Sequence, residues 1–153
     1  MKPNFNRNYK GIKCRVCLVR DGTYDEVIKI NEPSDAYELV KDELVNSDRE
    51  MFLSIMLTVK NVLIGVETVS IGSIVAITVT PRDVFKSAIL ANAVAIIVCH
   101  NHPSGELVPS INDIAITKQL VNAGELIGIK VLDHLIVSNQ GYKCLREYNE
   151  FPN

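Results

Sequence analysis

The sequence predicts an α/β (α+β) domain built on a mixed, largely antiparallel sheet flanked by about three helices. Three observations carry that expectation. Runs of strand length rich in Ile, Val and Leu recur from Met51 onward, turn residues separate them, and stretches with helix-start signals are interleaved between them. No internal repeat or Pro/Gly-rich linker divides the chain, so 12–153 read as one domain behind a flexible tail, 1–11, where Lys2, Arg7 and Lys10 lie among asparagines. A chain of 153 residues buries roughly two-thirds of the surface its unfolded form exposes. Neither a disulfide nor an oligomer is needed to account for folding.

Taken in order, Ile12 to Val19 and Tyr24 to Ile30 flank Asp21-Gly22, a hairpin signal. Pro33-Ser34-Asp35 opens an amphipathic helix to about Val45, with Ala36, Leu39, Val40 and Leu44 on one face. Met51 to Val59, Val62 to Val69 and Ser73 to Val79 read as strands, the first two joined by a turn at Lys60-Asn61. Thr80-Pro81-Arg82-Asp83 supplies a capping threonine, a proline at the first helical position and an acid at the third, which predicts a helix from Pro81 to about Ala93. Val94 to Cys99 resumes as a buried strand. Ser110-Ile111-Asn112-Asp113 starts a third helix, for which Gly124 is the expected stop. Lys130 to Val137 and Tyr142 to Arg146 complete the sheet around a turn at 138–141.

Composition narrows the function classes. Apolar residues make up 47% and charged residues 22%, as in ordinary globular proteins. A formal net charge of -2 offers a polyphosphate little, so direct nucleic-acid binding is not expected. The first residues lack the apolar core of a signal peptide, and the most apolar stretch, Ile89 to Cys99, is broken by Asn92 and falls far short of the roughly 20 residues that cross a bilayer. A cytoplasmic protein without membrane attachment is the expectation. Its four cysteines then read as reduced thiols. Cys14 and Cys17 form a C-x-x-C without a second pair to complete a zinc site, and Cys99 and Cys144 lie in apolar, strand-like surroundings.

The residues that carry chemistry lie where a buried strand runs out. His100 and His102 are two apart, so on a strand both imidazoles face the same side and can reach one ion, while Asn101 faces the other way. The loop from Pro103 to Pro109 returns the chain to the helix beginning at Ser110 and brings Asp113 into its first turn as a third ligand. Two neutral imidazoles and one carboxylate leave a fourth tetrahedral position open for water, as a catalytic zinc (Zn2+) site requires. Hydrolysis would also need an acid that does not bind the metal, to take the proton of that water.

In order and spacing, Glu67, His100-x-His102, seven residues, Ser110-x2-Asp113 resembles the JAMM motif of the JAB/MPN+ metallopeptidases. The stretch from Pro33 to Arg146, with Thr80-Pro81-Arg82, His100-Asn101-His102-Pro103-Ser104-Gly105, Pro109-Ser110 and Leu132-Asp133-His134, looks like the RadC-type branch of that family. The resemblance implies a JAB/MPN-like (cytidine-deaminase-like) architecture and a zinc-dependent hydrolase of peptide or isopeptide bonds acting on a protein or peptide substrate. Carried over by position, it implies His100, His102 and Asp113 as zinc ligands, Glu67 as general base and Ser110 as the residue that steadies the oxyanion. Glu67 is placed by its strand and by Ser70-Ile71-Gly72 rather than by a fixed distance to the histidines, so Glu50 and Glu106 stand as rivals. Family members commonly carry a helix-hairpin-helix segment ahead of this domain. The tail before Ile12 is too short for one, and DNA contact by that route is not expected.

Plainer readings exist for most of these residues. Ser110 and Asp113 form an S-x-x-D capping box, which explains both without a metal. Glu67 could be a solvated acid on an edge strand. Asp133 and His134 are neighbours on a strand, so only one faces the site, and a structural hydrogen bond is the simple account of it. The alternative to an enzyme is a non-catalytic binding module associated with DNA repair or mobile-element proteins. The letters His-Asn-His do not make an HNH nuclease, whose residues are spread over a longer ββα unit.

Overall fold

The structure is a computed structural model that describes residues 16–19, 27–72, 79–147 and 151. Its elements run α1 (Pro33–Val45), β1 (Met51–Leu57), β2 (Leu63–Ile71), α2 (Pro81–Leu90), β3 (Ala95–Asn101), α3 (Ile111–Ile127), β4 (Lys130–Ser138) and β5 (Gly141–Cys144). The sheet has the order β2-β1-β3-β4-β5. Among the described residues only β3 and β4 pair in parallel, joined through α3, and the other neighbours are antiparallel. The expected mixed, largely antiparallel α/β fold is what the chain adopts, with three helices among the described residues.

Alternation along the strands divides the core in two. Leu53, Ile55, Leu57, Ile97, Cys99, Leu135 and Val137 point to the face covered by α1, through Ala36, Val40 and Leu44. Phe52, Met56, Ile96, Val98 and Val131 point to the other face, under Val84, Phe85 and Ala88 of α2 and Leu120 of α3. β3 is buried along its whole length, as a central strand covered on both faces must be.

Local signals set the helix starts. In α1 the Asp35 carboxylate accepts the Asn31 and Glu32 N–H groups at 2.7 and 3.1 Å. In α2 Asp83 accepts the Thr80 N–H and hydroxyl at 3.2 and 2.6 Å. The β1–β2 turn uses Asn61 at φ 56°, a left-handed conformation that asparagine tolerates. Before it, Lys29 bridges to Val62. Apart from that bridge, residues 16–19 and 27–30 form no strand, contrary to the expected hairpin; its other residues, most of the 73–79 strand and Cys14 fall outside the described residues.

The helix ends differ from expectation. α2 stops at Leu90, and Asn92 turns the chain at φ 53°. α3 runs through Gly124 to Ile127 and ends at Gly128, whose φ of 82° is the left-handed cap that glycine favours. Gly124 is required by packing instead. A Cβ there would collide with the Ile129 carbonyl and lie 3.2 Å from Phe85 Cζ. Helix propensity alone makes Gly→Ala stabilising by about 1 kcal/mol, but steric conflict with a backbone atom reverses the sign. Gly124→Ala is expected to destabilise the protein by about 1–3 kcal/mol, read as a lower urea midpoint. A raised midpoint would contradict the packing.

Candidate metal centre

β3 ends in His100-Asn101 and continues to His102, whose N–H still bonds the Val137 carbonyl of β4 at 2.9 Å. That continuation keeps the two imidazoles on one side. Pro103 then begins a turn closed by the Gly105 N–H on the His102 carbonyl at 2.9 Å, with Gly105 at φ 87°. The turn brings the Glu106 carbonyl within 2.8 Å of His102 Nδ1. A carbonyl only accepts, so Nδ1 holds a proton and Nε2 is the nitrogen that faces Asp113. The Pro103-Ser104-Gly105 turn therefore orients the histidine that precedes it.

Asp113 occupies the first turn of α3, and the capping and ligand readings of it are both realised. Its Oδ2 accepts the Ser110 N–H at 2.7 Å while Ser110 Oγ accepts the Asp113 N–H at 3.1 Å. The same carboxylate faces the histidines, with Oδ1 3.2 Å from His100 Nε2 and Oδ2 3.4 Å from His102 Nε2. The two Nε2 atoms are 2.9 Å apart. These three residues form a group that could hold a metal ion, with ligand atoms within 4.8 Å of one another. Phe52 of β1 stacks beside His100 at 6.0 Å between ring centroids and forms part of the cleft wall.

Electrostatics suit a cation between these groups. Burial opposes the charge on Asp113, yet hydrogen bonds from His100 and His102 hold its carboxyl well below the usual carboxylate range. The Asp113 hydrogen bond raises the pKa of His102 against the opposing effect of burial, with the Glu106 carbonyl and the Glu50 charge adding to it. Proton and metal compete for the same Nε2. Apparent affinity for a divalent metal is therefore expected to be flat at alkaline pH and to fall once the pH drops through a value above the ordinary imidazole pKa of about 6.5. Without metal the sign of the linkage inverts. The stability His102 contributes is complete below about 6.5 and is lost as the pH rises through its raised value. A pH series of metal titrations checks the first statement, and a decline confined to pH below 6 would refute it.

The remaining site residues divide. Ser110 lines the cleft beside Asp113, together with Glu50, Glu106 and Thr80. Glu67 is absent from its wall. Glu67 pairs with Ser54, and Ser54 with Val98, so its side chain lies on the histidine face but two residues inward from the Phe52–His100 row and one strand further out. There it accepts a hydrogen bond from the Ser87 hydroxyl of α2. Glu50 lies two residues before Phe52 and shares its face. Asn101, turned away from the metal group as alternation requires, fixes the backbone around Glu50. Its Oδ1 accepts the Met51 N–H at 2.6 Å and its Nδ2 donates to the Arg49 carbonyl at 2.9 Å.

A family model described as the RadC-like JAB domain matches residues 30–150. The chain belongs to that family. It is 46% identical over 125 residues to a UPF0758 protein of Caldanaerobacter subterraneus subsp. tengcongensis, covering 82% of this chain and 54% of the relative. It is 43% identical over 128 residues to one of Staphylococcus haemolyticus, covering 84% and 56%, and 42% identical over 119 residues to one of Methanosarcina mazei, covering 78% and 52%. The chain spans about half the length of these curated relatives. Within this RadC-like domain Cys99 and Cys144 are buried free thiols. Burial, and secondarily the Asp133 charge, raises the pKa of Cys99, while burial and the hydrogen bond to Asp133 push Cys144 up to about 12, so neither offers a thiolate nucleophile at neutral pH. Cys17 is exposed. No helix among the described residues is long and apolar enough to cross a membrane.

Proposed function

We propose that this domain is a cytoplasmic zinc-dependent hydrolase of peptide or isopeptide bonds, with His100, His102 and Asp113 as ligands and Glu50, not Glu67, as general base. The observation that carries it is the convergence of two Nε2 atoms and one carboxylate on a cleft of about 710 Å³ that Glu50 also lines. Four-coordinate zinc with bonds of about 2.0–2.1 Å places its ligand atoms roughly 3.3 Å apart. The two Nε2 atoms are 2.9 Å apart, and each has a different Asp113 oxygen near that distance, Oδ1 at 3.2 Å from His100 and Oδ2 at 3.4 Å from His102. The donor set fits the metal. When bound, zinc lowers the pKa of a water toward about 7 and polarises a carbonyl.

The chain's own residues supply the rest. The Glu50 carboxylate takes the proton of the attacking water and returns it to the leaving amine, and Asn101 keeps that carboxylate in place through the peptides on either side of it. Ser110 Oγ already accepts the Asp113 N–H, which leaves its own proton to donate to the oxygen of the tetrahedral intermediate. Val79, Val108 and Ile116 give the cleft apolar wall for the side chains of a bound peptide. The buried free thiols of Cys99 and Cys144 suit the reducing cytoplasm.

The test is to incubate the protein with stoichiometric zinc and with panels of unstructured peptides and of lysine isopeptide conjugates. Cleavage that yields new amino groups and stops on chelation supports the proposal. Intact substrates in both panels would remove it and leave the non-catalytic binding module.

A further inference from the structure

The chain's third histidine contributes no ligand atom to the converging group, yet it touches it. His134, in β4, is fully buried behind His100. Its Nε2 lies 2.8 Å from His100 Nδ1 and its Nδ1 lies 2.6 Å from Thr117 Oγ1. Thr117 Oγ1 is also 2.5 Å from the backbone carbonyl of Asp113, one turn earlier in α3. These contacts form a chain from one metal ligand, through two side chains, to another.

The proton positions along the chain follow from counting donors. The Asp113 carbonyl can only accept, so the single Thr117 hydroxyl proton points to it. Toward His134 the hydroxyl is then an acceptor, and His134 Nδ1 carries a proton. Both ring nitrogens of His134 meet neutral polar groups rather than a carboxylate, and a fully buried imidazolium in that setting is strongly disfavoured. The ring is neutral, and its Nε2 accepts from His100 Nδ1–H. With Nδ1 of His100 turned to His134, Nε2 is the ring nitrogen that faces His102 and Asp113.

We infer that His134 and Thr117 are positioning residues that hold His100 in the tautomer and orientation required for metal ligation through Nε2. His102 receives the same tautomer by a different route, from the Glu106 carbonyl. Partners of this kind on a ligating histidine typically contribute 10–100-fold in metal affinity. The inference rests on the metal-site reading proposed above, and its test separates the two.

Cobalt(II) serves as the probe, titrated into metal-free wild type, His134→Leu and His134→Gln while the d–d absorption is followed. Glutamine can accept from His100 and donate to Thr117, whereas leucine fills the space and does neither. The expected result is cobalt affinity about 10–100-fold weaker in His134→Leu and within about threefold of wild type in His134→Gln. Long-range ¹H–¹⁵N NMR of metal-free wild type at pH 8 should show both His100 and His134 protonated on Nδ1, a result that needs no variant to fold. Equal cobalt affinity in wild type and a folded His134→Leu, or a proton on His134 Nε2, overturns the relay alone. Wild type that takes up no cobalt overturns the metal reading and the relay with it.

Discussion

Zinc content of the purified protein is expected to fall from about one per chain to none on replacing His102 with alanine, and to fall likewise in Asp113→Ala. The aspartate needs a second variant, because its carboxylate also caps α3, and losing a cap costs about 1 kcal/mol. Asp113→Asn separates the roles. The amide oxygen still accepts the Ser110 N–H, so α3 keeps its start, but the anionic ligand between the two Nε2 atoms is gone. Metal lost from both Asp113 variants, with thermal stability lowered mainly in the alanine one, fits a residue that caps and ligates together. Unchanged zinc in His100→Ala and Asp113→Ala would end the metal-site reading.

The second large effect distinguishes the two glutamates. With zinc bound, Glu50→Gln is expected to cut turnover by about 10²–10⁴-fold, the usual range for a general base, while zinc content stays the same. Glu67→Gln should alter turnover by less than about threefold and instead lower stability by about 1 kcal/mol, since its carboxylate serves the buried Ser87 hydroxyl. The reverse outcome, with Glu67→Gln inactive and Glu50→Gln active, would return the base to β2 and remove Glu50 from the mechanism.

The placement of these two acids depends on features that sequence reading does not reach. Elements specified by near neighbours were legible: α1 begins at Pro33 and ends at Val45 as expected, and the Thr80-Pro81 start of α2 is where its capping pattern places it. The bringing together of His100, His102 and Asp113 was equally legible, because strand alternation and a short loop to a capped helix are local rules. Glu50 and Glu67 are different. Glu50 immediately precedes β1 and Glu67 lies within β2, and the pairing of Phe52 with His100 and of Ser54 with Glu67 sets where each stands relative to the histidines. Cross-strand register is a long-range property that no spacing within one strand encodes. Gly124 misled for the same reason. A glycine near the end of a helical run looks like a stop until the close approach of the Ile129 carbonyl is known. His134 was expected to make a structural hydrogen bond, but its partners, His100 and Thr117, are 34 and 17 residues away, and Thr117 carried no signal at all.

The burial of β3 on both faces has a consequence for how the metal relates to the fold. In small metal-dependent domains the ion organises a chain that has no structure without it, and most of the binding energy is spent on ordering. Here the two histidines hang from a strand that α1 on one side and α2 with α3 on the other already hold in place. The ligands are ordered before any ion arrives. Removing the metal should therefore leave a folded scaffold with an intact socket, and coordination adds to a stability the chain already has instead of creating it.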